Sequence, residues 1–177
     1  MNAPWIVIPV LLPLLMAPLL LLCERWRPRW QLPLALLSTL ALLAVALALV
    51  RVADTDVIGV TLIGNWKAPF GIVLVLDRLS AMLLLLTAVV ALAGQLAAVS
   101  LATCGPYFHA FFQIQLAGLN GAFLTGDLFN LFVFFEVLLV ASYALLLHDA
   151  KARALRAGMH YVIINLVGSS LFHGVAA

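Results

Sequence analysis

The chain has 177 residues, of which 66% are hydrophobic and 9% charged, with nine Lys and Arg against seven Asp and Glu. Soluble domains run at about 45–50% apolar and about 25% charged, so a water-soluble fold of this length could not cover its own apolar surface. The net charge of +2 says little as a total, and no nucleic-acid partner is expected.

Windows of about 20 residues, the length that crosses a hydrocarbon core, divide the chain into six apolar segments. The first runs from about Ala3 to Cys23. No basic residue precedes it and its charges follow it, so it is expected to remain as a membrane helix and not as a cleaved signal. Pro9, Pro13 and Pro18 should bend it, which membrane helices tolerate where neighbours satisfy the freed carbonyls. The second span is expected over Leu32 to Ala53 and the third over about Asp77 to Thr103. Between them lies the one long connection, Asp54 to about Leu76, with Asp54, Asp56 and Lys67. Its runs Val57-Ile-Gly-Val-Thr-Leu-Ile-Gly-Asn and Gly71-Ile-Val-Leu-Val-Leu suggest a short β-hairpin on the membrane surface. The fourth span covers about Pro106 to Leu124, the fifth Asp127 to Leu147, and the sixth Ala157 to Ala177. Thr125-Gly126-Asp127 is too short for anything but an antiparallel hairpin of helices, and Asp127 is placed to cap the fifth one. Asp77 reads the same way for the third.

Arg25, Arg27 and Arg29 crowd the first connection, and Lys151, Arg153 and Arg156 the fifth. Both are odd-numbered loops, so they share a side, which the excess of positive charge assigns to the cytoplasm. The amino terminus is then expected outside a bacterial inner membrane. Cys23 and Cys104 fall at the cytoplasmic ends, far apart and without metal spacing, as inert packing thiols. No nucleotide loop, quinone motif, catalytic triad or metal cluster is visible, so the chain is read as having no catalytic residues, cofactor or metal of its own.

Glu136 stands alone in the fifth span, with no other charge between Asp127 and Asp149. A charge at mid-bilayer costs several kcal/mol on the most lenient scales, and such residues mark ion or proton paths by default. A carboxyl held neutral and released when a cation arrives would serve a proton relay, and Glu136 is the expected proton-pathway residue. Other polar groups sort onto helical stripes: His109, Gln113, Ala117 and Asn120 on the fourth span, Asn165, Ser169 and His173 on the sixth. These faces should look into the bundle, either as amides joining helices or as the lining of a hydrated path.

The stretch Gly118-Leu-Asn-Gly-Ala-Phe-Leu-Thr-Gly-Asp-Leu-Phe-Asn-Leu-Phe-Val-Phe-Phe-Glu-Val-Leu-Leu-Val-Ala-Ser-Tyr resembles the antiporter-like membrane subunits shared by Mrp-type cation/proton antiporters and respiratory complex I. Gly71-Ile-Val-Leu-Val-Leu-Asp-Arg-Leu-Ser-Ala and Tyr161-Val-Ile-Ile-Asn-Leu-Val-Gly-Ser-Ser-Leu-Phe support the likeness, which within that group is greatest for the D-type subunits of Mrp antiporters. The resemblance implies an all-α polytopic fold, six transmembrane helices forming the amino-terminal part of a roughly fourteen-helix protein. It implies exchange of Na⁺ or K⁺ for H⁺ in company with other membrane subunits, and an essential role for the glutamate found here as Glu136. The lysine that partners it on the family's seventh helix has no counterpart in these residues, so a truncated or split subunit is expected. A proton-pumping subunit of complex I or of a membrane hydrogenase, or a non-functional fragment, are the alternatives.

Overall fold

Long runs of Leu, Ala and Val without internal glycine pairs favour helix, and the computed structural model is helical through most of its length. It describes residues 4–54, 58–65, 71–100, 105, 107–147, 158–165 and 167–168. Helix α1 (Ile8–Trp26) follows a 3₁₀ turn at Pro4–Val7, and α2 spans Gln31–Ala53. Strands β1 (Gly59–Leu62) and β2 (Val73–Leu76) come next, then α3 (Arg78–Ser100), α4 (Phe108–Leu124) and α5 (Leu128–Leu147). Residues 158–165 and 167–168 are also helical. Cys104, Asp56, Lys67, the Lys151–Arg156 cluster, Ser169 and His173 lie outside the described residues.

Among the described residues four helices are long and apolar enough to cross a membrane: Trp5–Trp26, Gln31–Ala53, Arg78–Val99 and Leu128–Leu147. This is a multi-pass membrane protein. At 1.5 Å per residue a 23-residue helix such as α2 is about 35 Å long, enough for a core of about 30 Å with some tilt. Helix α4, with 17 residues, is the shortest of the five, and it occupies the centre. Helices α1, α3 and α5 all pack on it, while α2 packs chiefly on α1 and α3.

The α4–α5 contact is closest because glycines line it. A Cβ on Gly118 would stand 2.8 Å from the Leu138 nitrogen and 3.1 Å from the Phe134 oxygen, and one on Gly121 would overlap the Phe134 ring. Small residues let the two backbones approach where apolar burial supplies no drive. The three proline positions differ in effect. Pro13 and Pro18 lie inside α1, but Pro9 falls in its first turn. A first-turn N–H has no partner within the helix, so Pro9 removes nothing and the bend expected there is not its work.

The hairpin expected between the second and third spans is present. β1 and β2 pair antiparallel, with Gly59 opposite Leu76 and Leu62 opposite Val73. Gly64 takes φ 69° just after β1, a left-handed backbone open to glycine. The inward residues Thr61, Leu74 and Leu76 are buried, and the sheet rests on the Pro4–Val7 turn, the start of α3 and the end of α4. These elements define a hairpin end of the bundle, opposite an arginine end where α1 finishes at Arg25 and Arg27. At the start of α3, Ser80 N donates to Asp77 Oδ1 at 2.7 Å and Asp77 N donates to Ser80 Oγ at 2.9 Å, a reciprocal cap.

Replacing Gly118 by Ala should lower the stability of the detergent-solubilised protein by about 1–3 kcal/mol, the usual range for overpacking. Gly94→Ala, whose added Cβ would meet only Phe112 Cζ at 3.8 Å, should be close to neutral. Thermal unfolding of both variants checks this, and equal melting temperatures would refute the close-approach account.

Candidate functional site

Helix α5 is fixed before Glu136 is reached. Asp127 precedes it, and its Oδ1 accepts the Asn130 N–H at 2.8 Å, satisfying a donor that the first turn leaves free. The Asn130 amide also donates to Asp127 Oδ2, and Thr125 Oγ1 donates to the Asp127 carbonyl at 3.2 Å. The same short loop is stitched to the hairpin: Gly126 N donates to Val73 O at 2.8 Å, and Thr125 bridges to Leu74. A Cβ on Gly126 would lie 2.6 Å from Val75 Cγ2, so a larger residue could not take that path. Two attachments, the glycine contact with α4 and the loop on β2, therefore set the rotation and depth of α5.

Glu136 sits at the middle of this helix. Its side chain is partly buried, and its Oε1 is enclosed with no hydrogen-bond partner among the described residues. Tyr143, two turns on and on the same face, likewise has an enclosed, unpartnered hydroxyl, and it lies near enough to Glu136 for the carboxylate's charge to act on it. The Tyr143 ring meets Tyr161 edge-on, centroids 5.5 Å apart, which joins α5 to the helical residues 158–165. Between them runs a groove of about 550 Å³ lined by Phe132, Phe135, Leu139, Ile164, Asn165 and others. Phe132 and Leu139, one turn either side of Glu136 in sequence, belong to its lining, and Glu136 itself does not. Asn165 faces it too, though its Nδ2 donates to Tyr161 O of its own helix at 2.9 Å.

The stripe on α4 turns inward, as its spacing requires. His109, Gln113 and Asn120 are all buried, away from Glu136 and against α1 and α2. Asn120 Nδ2 donates to Pro9 O at 2.8 Å. Pro13 has no N–H to offer that carbonyl, so Asn120 supplies the bond the proline removed. Gln113 Nε2 donates to Ala35 O at 3.4 Å, joining α4 to α2. Asn120 thus holds helices together. The other atoms of this layer are not so accounted for: Gln113 Oε1 and His109 Nδ1 are buried and unpartnered. So are both polar atoms of Gln95 on α3, a residue that reading the spans for acidic groups and stripes passed over. Its signal was present, since Gln95 continues the buried series Ala81, Leu84, Ala88 and Ala91 at helical spacing.

Known proteins share both this sequence and this geometry. A family model described as NADH:quinone oxidoreductase/Mrp antiporter, TM, matches residues 125–176. The chain is 49% identical over 175 residues to the D subunit of a probable K(+)/H(+) antiporter of Rhizobium meliloti, covering 94% of this chain and 32% of that protein. It is 39% identical over 173 residues to the D subunit of the Na(+)/H(+) antiporter of Alkalihalophilus pseudofirmus, covering 94% and 34%. A chain of the Mrp complex from a Dietzia species superposes with a TM-score of 0.88 at 32% identity, over 97% of this chain and 33% of that one. A chain of the membrane-bound sulfane sulfur reductase, an archaeal respiratory membrane complex, gives 0.86 at 30% identity, over 94% and 35%. The chain spans about a third of the length of the curated relatives it matches. It belongs to the family of antiporter-like membrane subunits shared by Mrp antiporters and complex I-like assemblies.

The Asn120 bond can be isolated by a double-mutant cycle. Asn120→Leu should destabilise the protein by roughly 1–2 kcal/mol by leaving the Pro9 carbonyl unpaired in an apolar setting. In a Pro13→Ala background, where a helical N–H returns, the same change should cost clearly less. Additive effects in unfolding measurements would show that Asn120 does not serve that carbonyl.

Proposed function

We propose that this chain works within a multi-subunit antiporter exchanging Na⁺ or K⁺ for H⁺, and that Glu136 carries the proton. Supporting this is the setting of Glu136: a carboxyl at the middle of a 20-residue apolar helix, with one oxygen enclosed and unpartnered. A carboxylate there is costly without water or a partner, whereas the protonated acid is cheaper to hold. A group that alternates between the two as a counter-charge arrives and leaves passes a proton on. No cation stands at its depth among the described residues, and the counter-charge is supplied by the rest of the assembly. The names of the relatives, D subunits of K(+)/H(+) and Na(+)/H(+) antiporters, support both the exchange and the presence of other membrane subunits.

A second reading, a proton-pumping subunit of a respiratory assembly, draws support from the family description and from the likeness to the archaeal respiratory complex. The two differ in their driving force. Antiport needs only an ion gradient, whereas the respiratory reading needs electron flow through partner subunits.

In membranes carrying the assembled complex, Glu136→Gln and Glu136→Ala should lower Na⁺- or K⁺-dependent proton flux by about a hundredfold, the usual scale for loss of a proton-transferring group. Assembly should be unchanged. Gln keeps the size and hydrogen-bonding capacity but releases no proton, which separates relay from packing. Glu136→Asp should keep partial activity. Normal flux in Glu136→Gln would end the proton-path reading, and flux driven only by electron donors would favour the respiratory one.

We further propose that the arginine end faces the cytoplasm and the hairpin end the outside. In a background lacking Cys23 and Cys104, a cysteine at Arg27 should resist a membrane-impermeant thiol reagent in intact cells, and one at Ile63 should react. The reverse pattern would invert the orientation.

A further inference from the structure

We propose that Ser38, Gln95, His109 and Gln113 enclose a small cluster of buried water near the arginine end of the α1–α4 bundle, separate from Glu136. Towards the hairpin end the inward faces of α2 and α3 carry Leu42, Ala46 and Leu49 on one and Ala81, Leu84 and Ala88 on the other, and the buried hydroxyls of Ser80 and Thr87 on α3 are bonded to backbone carbonyls. At the other end the two faces carry Ser38 on α2 and Gln95 on α3, and α4 presents His109 and Gln113 there. The three faces are in register. Gln113 Nε2 reaches Ala35 O, less than one turn before Ser38, and a Cβ on Gly94 would touch Phe112 at 3.8 Å, which sets Gln95 at the level of Gln113.

All four side chains are at least nine-tenths buried, with exposures of 4% for Ser38, 6% for His109 and 0% for both glutamines. Yet Ser38 Oγ, both polar atoms of Gln95, His109 Nδ1 and Gln113 Oε1 have no partner among the described residues. Buried polar atoms are almost always hydrogen-bonded, to ordered water where protein offers nothing. Five such atoms, at about three bonds per buried water, call for roughly two waters. Gln95 fixes the ligand class, since it presents an unpaired donor and an unpaired acceptor whichever way its amide turns. Water answers both, whereas a bare cation would leave the donor unmet.

Glu24 on α1 stands at the same end, hydrogen-bonded by Gln31 Nε2, and close enough to act electrostatically on His109. Helices α2 and α3 carry only Arg51 and Arg78, both at the hairpin end, and α4 has no other charged residue. Arg25 and Arg27 at the same end are exposed, whereas Glu24 is partly buried, so among the described residues of these helices Glu24 is the charged group on the side of the cluster.

Pulsed X-ray radiolysis generates hydroxyl radicals from water in place, so a side chain touching buried water is oxidised despite being inaccessible from outside. Ser38→Cys and Ala46→Cys put the same thiol on the same buried face of α2, two turns apart. In the full chain lacking Cys23 and Cys104, mass spectrometry should find Ser38→Cys oxidised several-fold faster than Ala46→Cys. Adding Gln95→Leu to Ser38→Cys should bring its rate down to that of Ala46→Cys, with the monodisperse elution of the solubilised protein confirming that it still folds. Equal rates for the two cysteine variants, or a Ser38→Cys rate unmoved by Gln95→Leu, would mean that the layer is dry and overturn the proposal.

Discussion

In hydrocarbon a carbonyl released from its helix has no water to turn to, and Pro13 releases the one at Pro9. Asn120 answers it from α4 at 2.8 Å, across 111 positions of sequence. That bond draws α4 against α1, and once α4 is central the remaining elements have their places. Helix α3 packs on its side, and α5 lies along the face opened by Gly118 and Gly121. The loop at its end meets β2 through Gly126 and Thr125. The hairpin in turn covers Ile6, Leu74 and Leu76, which are essentially unexposed. One unsatisfied backbone group thus shapes a packing order that hydrophobicity alone, equal between lipid and protein, would leave open.

Polar residues inside this bundle fall into two kinds. Asp127 and Asn130 are bonded to backbone and to one another, and the Asn120 Nδ2 is bonded to Pro9 O, although its Oδ1 is buried without a partner among the described residues; these bonds hold shape. Glu136, Tyr143, Gln95 and His109 keep buried atoms with no partner among the described residues. The first kind explains itself by stability. The second is held at a cost that no bond among the described residues offsets. Glu136 belongs to α5, whose apolar window is only 11% buried, against 28–33% for the windows of α1–α3. The carboxyl sits on the least enclosed of these four helices among the described residues.

Much of this was legible in one dimension. Helix length and apolar run mark the spans, because a helix closes its own backbone bonds and needs only about 20 apolar residues to cross. Asp127 as a cap, the short α4–α5 turn and the hairpin between α2 and α3 follow from local chemistry, and so did the isolation of Glu136. The inward turn of His109, Gln113 and Asn120 follows from spacing near 3.6 residues per turn. Each of these depends on neighbours within a few residues.

Partnership between helices is a different matter. That Asn120 would serve Pro9 rather than line a path, that Pro9 would sit harmlessly in a first turn, and that Gln95 would join Ser38 and Gln113 at one level depend on how distant helices cross and at what depth. Periodicity states which face of a helix is polar and leaves unsaid what meets it. Crossing is set by the glycine contact, the freed carbonyl and the loop stitched to β2, each a meeting of segments far apart in the chain. The sequence by itself therefore determined the helices, their caps and the lone carboxyl, while the tertiary structure alone decided which buried polar groups are bonded and which stand without partners.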